Sequence, residues 1–179
     1  MTKEIAPTRY HPVHVVLHWL IAIMVIGAFA IGMTVLDSIP NSAPEKVTFL
    51  QYHATWGQIL ALLLVVRVIT RFALKRPAPA DAGYPALNVL AKIVHFLLYV
   101  GVFGMLLSGA GMSMQAGLNE VFAGNATLPE DFFVYPPRSG HGLTFSILFV
   151  LILIHFGAAM YHQFIRKDNL LSRMWFGKR

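Results

Sequence analysis

The chain has 179 residues, of which 56% are hydrophobic and only 12% are charged. Soluble domains average about 25% charged residues, so this composition, with a mean hydropathy of +0.62, predicts an all-α integral membrane protein. The absence of cysteine excludes disulfides, Cys-ligated iron–sulfur clusters and haem attached through a Cys-x-x-Cys-His motif. The eight histidines therefore dominate the candidate chemistry.

Four apolar stretches predict an antiparallel bundle of four transmembrane helices that forms a single domain over residues 1–179. Each stretch is long enough to cross a bilayer, and the predicted spans cover about residues 13–36, 47–74, 87–114 and 139–165.

The first span has an alternative interpretation as a cleaved signal peptide, because Ala28-Phe29-Ala30 resembles a cleavage site. We favour an uncleaved helix, since the apolar run continues beyond Ala30 and His14 and His18 interrupt what would be the apolar region of a signal.

The net charge of +6 is distributed as a topology signal. The N-terminal segment, the connector after the second span with its flanking helix ends, and the C-terminal tail hold all the basic residues except Lys46 and Arg138. Because basic residues stay in the cytoplasm, we expect both termini to be cytoplasmic. This distribution argues against nucleic acid as a partner and leaves membrane lipid as the surroundings.

The histidines fall into two pairs when depth is counted along helices of alternating direction. His18 and His155 lie in the inner half of the membrane, and His53 and His141 lie in the outer half. In the fourth span, His141 and His155 share one face and are about 21 Å apart. Ionisable side chains inside a membrane usually face the bundle interior. This pattern predicts two b-type haem groups, each with two imidazoles as axial ligands of the iron.

Other interpretations of these residues remain open from the pattern alone. A single intramembrane histidine more often bonds to a neighbouring helix, and His95 competes with His18 for the inner site. Arg67 and Arg71 either pair with haem propionates or extend to the cytoplasmic surface. Four glycines either admit a flat macrocycle or permit close helix packing: Gly57, Gly109, Gly140 and Gly157.

Several motifs together support a family assignment. In chain order they are His14-Val15-Val16-Leu17-His18-Trp19-Leu20, Tyr52-His53 with Gly57, Val65-Val66-Arg67-Val68-Ile69-Thr70-Arg71, the trio His141, His155 and His162, Lys167-Asp168-Asn169, and Leu171-Ser172-Arg173-Met174. Over nearly its whole length, the chain thereby resembles the bacterial cytochrome b561 proteins, which are four-helix di-haem cytochromes of the inner membrane.

The resemblance implies specific ligands and partners. It implies that His18 and His155 hold the inner haem b and that His53 and His141 hold the outer one, which demotes His95. It also implies a multi-pass inner-membrane oxidoreductase with ubiquinone as electron acceptor. At least one similar protein oxidises superoxide while it reduces ubiquinone, which makes superoxide a candidate donor. Residues 119–138 match no motif of the family and leave the external substrate open.

His162 is a candidate quinone contact. It follows His155 by seven residues on the same face, roughly 10 Å nearer the cytoplasmic surface. An imidazole there can hydrogen-bond a quinone carbonyl and deliver a proton. The alternative is that His162 only anchors the end of the helix.

Two other functions compete with the leading one. In the first, the chain is a cytochrome b subunit that receives electrons from a redox protein partner such as a dehydrogenase or hydrogenase. In the second, the histidines form a proton or metal relay in a transporter. No Asp or Glu lies within any predicted span, which disfavours the transporter.

The charge distribution gives a direct prediction of topology. A reporter enzyme that is active only in the periplasm, fused after Arg179, is expected to be silent, because the basic tail stays in the cytoplasm. The same reporter inserted in the connector at residues 123–130 is the positive control. Strong activity of the C-terminal fusion would contradict the predicted topology.

Overall fold

The computed structural model describes residues 7–177 and contains four helices long and apolar enough to cross a membrane. The predicted all-α architecture with four spanning helices is therefore confirmed. These segments are Pro12–Leu36, Pro44–Ala73, Pro85–Gln115 and Pro136–Arg166.

The helical elements follow one another with short connectors. The α-helices are α1 (Pro12–Ile31), α2 (Pro44–Ala73), α3 (Pro85–Gln115), the short α4 (Leu118–Phe122) and α5 (Pro136–Met160). Smaller turns adjoin them: π-helical turns at Gly32–Leu36 and Tyr161–Arg166, and 3-10 turns at Phe132–Val134 and Leu170–Met174.

Each long helix begins at a proline rather than at the first strongly apolar residue. Proline suits the first helical position because the N–H it lacks would have no partner inside the helix. The prolines at these starts are Pro12, Pro44, Pro85 and Pro136. The helices therefore begin one to three residues before the spans predicted from hydropathy, which begin at residues 13, 47, 87 and 139.

α3 and α5 pack closely because small residues of α3 face α5. A Cβ atom added at Gly101 would lie 3.0 Å from Leu148 Cδ1, and one added at Gly104 would lie 3.3 Å from Thr144 Cγ2. Larger side chains would separate the two helices, so these glycines set the helix spacing. This contact fixes the helix that carries His141, His155 and His162.

The apolar core occupies the middle of the bundle, between the two levels of histidines. It is formed by Ile21, Met24, Val25, Leu60, Leu64, Val102 and Leu148. The indole N–H of Trp56 donates to the Met24 carbonyl across 2.9 Å and joins α2 to α1. Large apolar side chains elsewhere point outward, among them Leu62 and Phe72, which are 66% and 80% exposed. An apolar exterior around a packed interior is what a lipid environment requires.

The first and last described segments meet at one end of the bundle, which we call the inner end. The Tyr10 N–H donates to the Arg173 carbonyl across 3.1 Å, and the Trp19 indole N–H donates to the Met174 carbonyl across 2.8 Å. Residues 167–177, here named the C-terminal strap, thus cross the inner end. The two termini share a side, and the prediction that this side is cytoplasmic stays a prediction.

Lys46 is a basic residue at the opposite, outer end of the bundle, and its contacts account for its position there. Its side chain is buried, and its ammonium donates to the carbonyls of Leu36 and Ile39, the latter at 2.8 Å. A helix leaves its last carbonyls without partners, and a cation is favoured there. Lys46 therefore caps the π-helical turn Gly32–Leu36 that extends α1.

Candidate functional site

The inner pair of histidines comes from α1 and α5. The ring centroids of His18 and His155 are 6.2 Å apart, with an interplanar angle of 79°. Both side chains are only partly exposed. The structure thus brings together the two residues that the depth argument paired.

The outer pair comes from α2 and α5. The ring centroids of His53 and His141 are 6.4 Å apart, with an interplanar angle of 74°. His53 Nδ1 is buried and has no hydrogen-bond partner among the residues that the structure describes. A buried polar atom without a partner is costly, so this imidazole suits a group that the protein chain itself does not supply.

The geometry of both pairs fits a shared haem iron. Imidazole–metal bonds are about 2 Å long, so two rings on opposite sides of one metal have centroids roughly 6 Å apart. Both observed separations match this value. An apolar cleft of about 350 Å³ adjoins His53 between α1 and α2, and its walls include Ala28, Trp56 and Ile59. Such a cleft suits the apolar edge of a flat ring system.

The glycines named in the sequence differ in what surrounds them. A Cβ atom at Gly109 would lie 3.5 Å from His141 Cε1, so Gly109 packs against that ring. An added Cβ atom would meet nothing within 4 Å at the other three positions, which are Gly57, Gly140 and Gly157. Gly57 follows His53 by one helical turn and therefore leaves space on the same face of α2.

Ser108 orients His141, and the sequence argument missed this contact. Ser108 Oγ lies 2.9 Å from His141 Nδ1, and its own proton is taken by the Gly104 carbonyl at 2.8 Å. With the Ser108 proton on that carbonyl, the Nδ1–H of His141 donates to Ser108 Oγ and Nε2 keeps a free lone pair. A hydrogen bond on the other ring nitrogen is the usual support of a metal-binding histidine.

Arg67 points into the bundle rather than to the surface. Its Nη1 donates to the His14 carbonyl across 2.9 Å, and its Nη2 is 3.4 Å from His18 Nδ1. It forms no ion pair with a carboxylate of residues 7–177. The Arg67 side chain is therefore held inside the bundle beside His18 and does not extend to the surface. Arg71 instead lies over the Tyr99 ring, 5.8 Å from its centroid.

His95 also lies near His155, with ring centroids 5.1 Å apart. This separation is shorter than a shared iron requires, and the His95 side chain is exposed. Its Nδ1 is 2.6 Å from the carbonyl of Ala91 in its own helix. The geometry therefore favours His18 over His95 as the partner of His155.

His162 is buried at the inner end, where a carboxylate holds its ring. His162 Nδ1 lies 2.5 Å from Asp168 Oδ2, and Arg166 Nε lies 3.4 Å from the same oxygen. Partial burial of Asp168 would raise its pKa, but the hydrogen bond and charge of His162, with the Leu170 N–H, hold that pKa below its usual value. The sequence offered Asp168 only as part of a tail motif, and its contact with His162 comes from the structure.

Comparisons with known proteins match the whole described chain. The family model described as prokaryotic cytochrome b561 matches residues 9–177. Cytochrome b561 homolog 2 of Escherichia coli is 30% identical, over 94% of this chain and 92% of its own. Cytochrome b562 of Cereibacter sphaeroides is 28% identical, over 97% and 98%. A Yersinia pestis protein named "Probable superoxide oxidase CybB" is 22% identical, over 96% and 98%.

The contact between Ser108 and His141 predicts weaker haem binding when it is lost. Ser108→Ala removes the acceptor that orients His141 and is expected to lower the affinity of the outer pair for haem on the order of tenfold. The rate of haem transfer to apomyoglobin measures this change. Ser146→Ala is the matched control, because Ser146 bonds only to the Gly142 carbonyl of its own helix. Equal rates in both variants would exclude the orienting role.

Proposed function

We propose that this chain, which belongs to the prokaryotic cytochrome b561 family, conducts electrons from superoxide at the outer face, through two haem groups, to ubiquinone at the inner end. Membership of that family makes it a bacterial membrane protein that binds haem b and transfers electrons. In this proposal the membrane is the inner membrane, and the outer face is periplasmic.

The observation that carries the proposal is the presence of two imidazole pairs, at 6.2 and 6.4 Å, on facing helices. His18 and His155 would hold the inner haem, and His53 and His141 the outer one. Each iron, when bound, supplies one-electron chemistry. With an imidazole supplied by each of two helices, either haem would be suited to electron transfer rather than to oxygen chemistry.

Arg67 would hold a propionate of the inner haem. An arginine only donates hydrogen bonds, so its present contact makes His18 Nδ1 an acceptor and leaves the proton on Nε2. His18 would hold the iron through Nε2 with its proton on Nδ1, and Arg67 would then be free of this contact. The freed guanidinium can pair with a carboxylate, which is its preferred partner. The buried arginine would thereby gain the counter-charge that residues 7–177 do not supply.

The outer end offers a positive charge beside His141, which supports an anionic donor. Arg138 precedes His141 by three residues and so lies on the same face of α5. Its guanidinium lies over the Phe133 ring, 4.6 Å from the centroid. A fixed positive charge raises the local concentration of small anions. Superoxide is such an anion, and the name of the Yersinia pestis relative refers to its oxidation.

The apolar core separates the two proposed haem sites. Leu148 is 1% exposed and lies between His141 and His155 on α5. This packing excludes water between the two levels, so electrons but not hydrated ions can pass.

At the inner end, His162 would contact the quinone, because its ring is buried there and its Nε2 is not used by Asp168.

Single-histidine variants test the number and position of the haem groups. His53→Ala is expected to remove the outer haem and leave the inner one, because only the outer iron would lose one of its two protein ligands. His18→Ala is expected to do the converse. Haem content per chain and a redox titration of the reduced-minus-oxidised spectrum measure both. His95→Ala is the control and is expected to retain both haem groups; loss of the inner haem in this variant alone would reassign its ligand.

A separate variant tests the quinone contact. His162→Ala is expected to keep both haem spectra and to slow haem oxidation by added ubiquinone, since the imidazole no longer bonds the quinone carbonyl. Stopped-flow absorbance measures the rate. His11→Asn, at the same end, keeps a side chain able to cap α1 at Val13 and is expected to be unchanged. Normal quinone kinetics in His162→Ala would reduce this residue to a helix anchor.

A further inference from the structure

The segment around Asp168 has a backbone that turns the carboxylate back toward His162. After the π-helical turn Tyr161–Arg166, the flanking residues Lys167 and Asn169 adopt left-handed φ values of 54° and 56°. The Asp168 N–H donates to the His162 carbonyl across 3.3 Å. Left-handed conformations are uncommon for residues other than glycine, and such strain often occurs at functional sites. The result is that one short loop connects Asp168 to His162 through both backbone and side chain.

The contact fixes which nitrogen of His162 carries the proton. An ionised carboxylate only accepts hydrogen bonds, so the 2.5 Å contact requires the Nδ1–H of His162 to donate to Asp168 Oδ2. Nε2 is then the ring atom left for a substrate. The carboxylate also stabilises the imidazolium, as an aspartate does for the histidine of a catalytic triad. Arg166 lies near the same oxygen, at 3.4 Å, and keeps the carboxylate ionised.

The two side chains differ in their access to water. The His162 side chain is 10% exposed, whereas that of Asp168 is 32% exposed. The buried imidazole therefore meets the interior of the bundle, and the carboxylate meets the solvent at the inner end. This arrangement connects a substrate side that is shielded from water to the solvent that supplies protons.

We propose that Asp168 is the positioning residue for His162. Asp168 holds the imidazole with Nε2 toward the quinone and balances the charge of the protonated imidazole. The inference rests on the proposed quinone site. Reduction of a quinone to the quinol needs two electrons, which arrive through the haem groups, and two protons. The Nε2–H of the His162 imidazolium gives one proton to a quinone oxygen, and the N–H bond breaks as the O–H bond forms. After this transfer His162 is neutral and keeps its Nδ1–H on Asp168. Water at the inner end returns a proton to His162 and supplies the second proton to the quinone.

A double-mutant cycle on the full-length, haem-loaded protein tests this role. The variants are Asp168→Asn, Asp168→Glu, His162→Ala and the double variant Asp168→Asn/His162→Ala, with ubiquinone-1 as the oxidant. Asp168→Asn keeps an oxygen for Nδ1 but loses the charge. It is expected to lower the limiting rate of haem oxidation on the order of tenfold or more, with little change in KM. Asp168→Glu is expected to restore part of the rate, and the double variant is expected to be no slower than His162→Ala.

Asp81→Asn is the matched control, since Asp81 is exposed in the inner connector between α2 and α3 and bonds to Asn88 and Gly83. It is expected to match the unmodified protein. A normal rate in Asp168→Asn, with His162→Ala slow, would overturn the role of Asp168 and leave the quinone site in place. A further loss in the double variant would overturn it as well, because Asp168 would then act apart from His162. A normal rate in His162→Ala would overturn both the quinone site and this inference.

A spectroscopic measurement on the unmodified protein keeps the inference testable if an Asp168 variant fails to fold. Nitrogen-15 NMR of histidine-labelled, reduced protein is expected to show a protonated Nδ1 for His162, with the strongly shifted proton of a short hydrogen bond. The difference from His162→Ala assigns the signal. An Nδ1 without a proton would overturn the inference.

Discussion

The cost of placing imidazoles in a membrane is the constraint on which this structure depends. A polar side chain at membrane depth must find a partner inside the bundle, and here four histidines face one another in two pairs across helices. Neither ring pair is close enough for direct hydrogen bonding to be its purpose, since the centroids are more than 6 Å apart. The bundle therefore holds its histidines at a separation that an iron atom between them would satisfy.

α5 is the element that connects these sites. It supplies one member of each pair, and its π-helical extension supplies His162. A single straight helix sets the spacing between the two levels, so that spacing is as rigid as the helix itself. The glycines of α3 add to this rigidity, because a Cβ atom added at Gly101 would lie only 3.0 Å from Leu148 Cδ1.

The sequence predicted the bundle and the pairing well, and the reasons are physical. Apolar length identifies a span, and a rise of 1.5 Å per residue converts position into depth, so His18 and His155 were matched without any contact information. Depth alone does not give the rotation of one helix against another. For that reason the direction of Arg67, the bond from His141 to Ser108 and the separation that disfavours His95 came only from the structure.

Other features depend on backbone conformations that carry no clear sequence signal. Left-handed backbone conformations are usually predicted at glycine or asparagine, and Lys167 is neither of these. The contact of Asp168 with His162 follows from that turn and could not be predicted from spacing. The starts of the helices had a signal in their prolines, which hydropathy does not weigh.

The C-terminal strap has a consequence for how the protein is assembled. Its contacts with Arg9 and Trp19 join residues that are 163 and 155 positions apart in the sequence, so the strap is synthesised after all four spans. Closing so long a loop carries an entropic cost, which is met only when all four spans already stand side by side. The inner end of the bundle therefore stays open during synthesis, and the chain closes it over any cofactor that has entered by then.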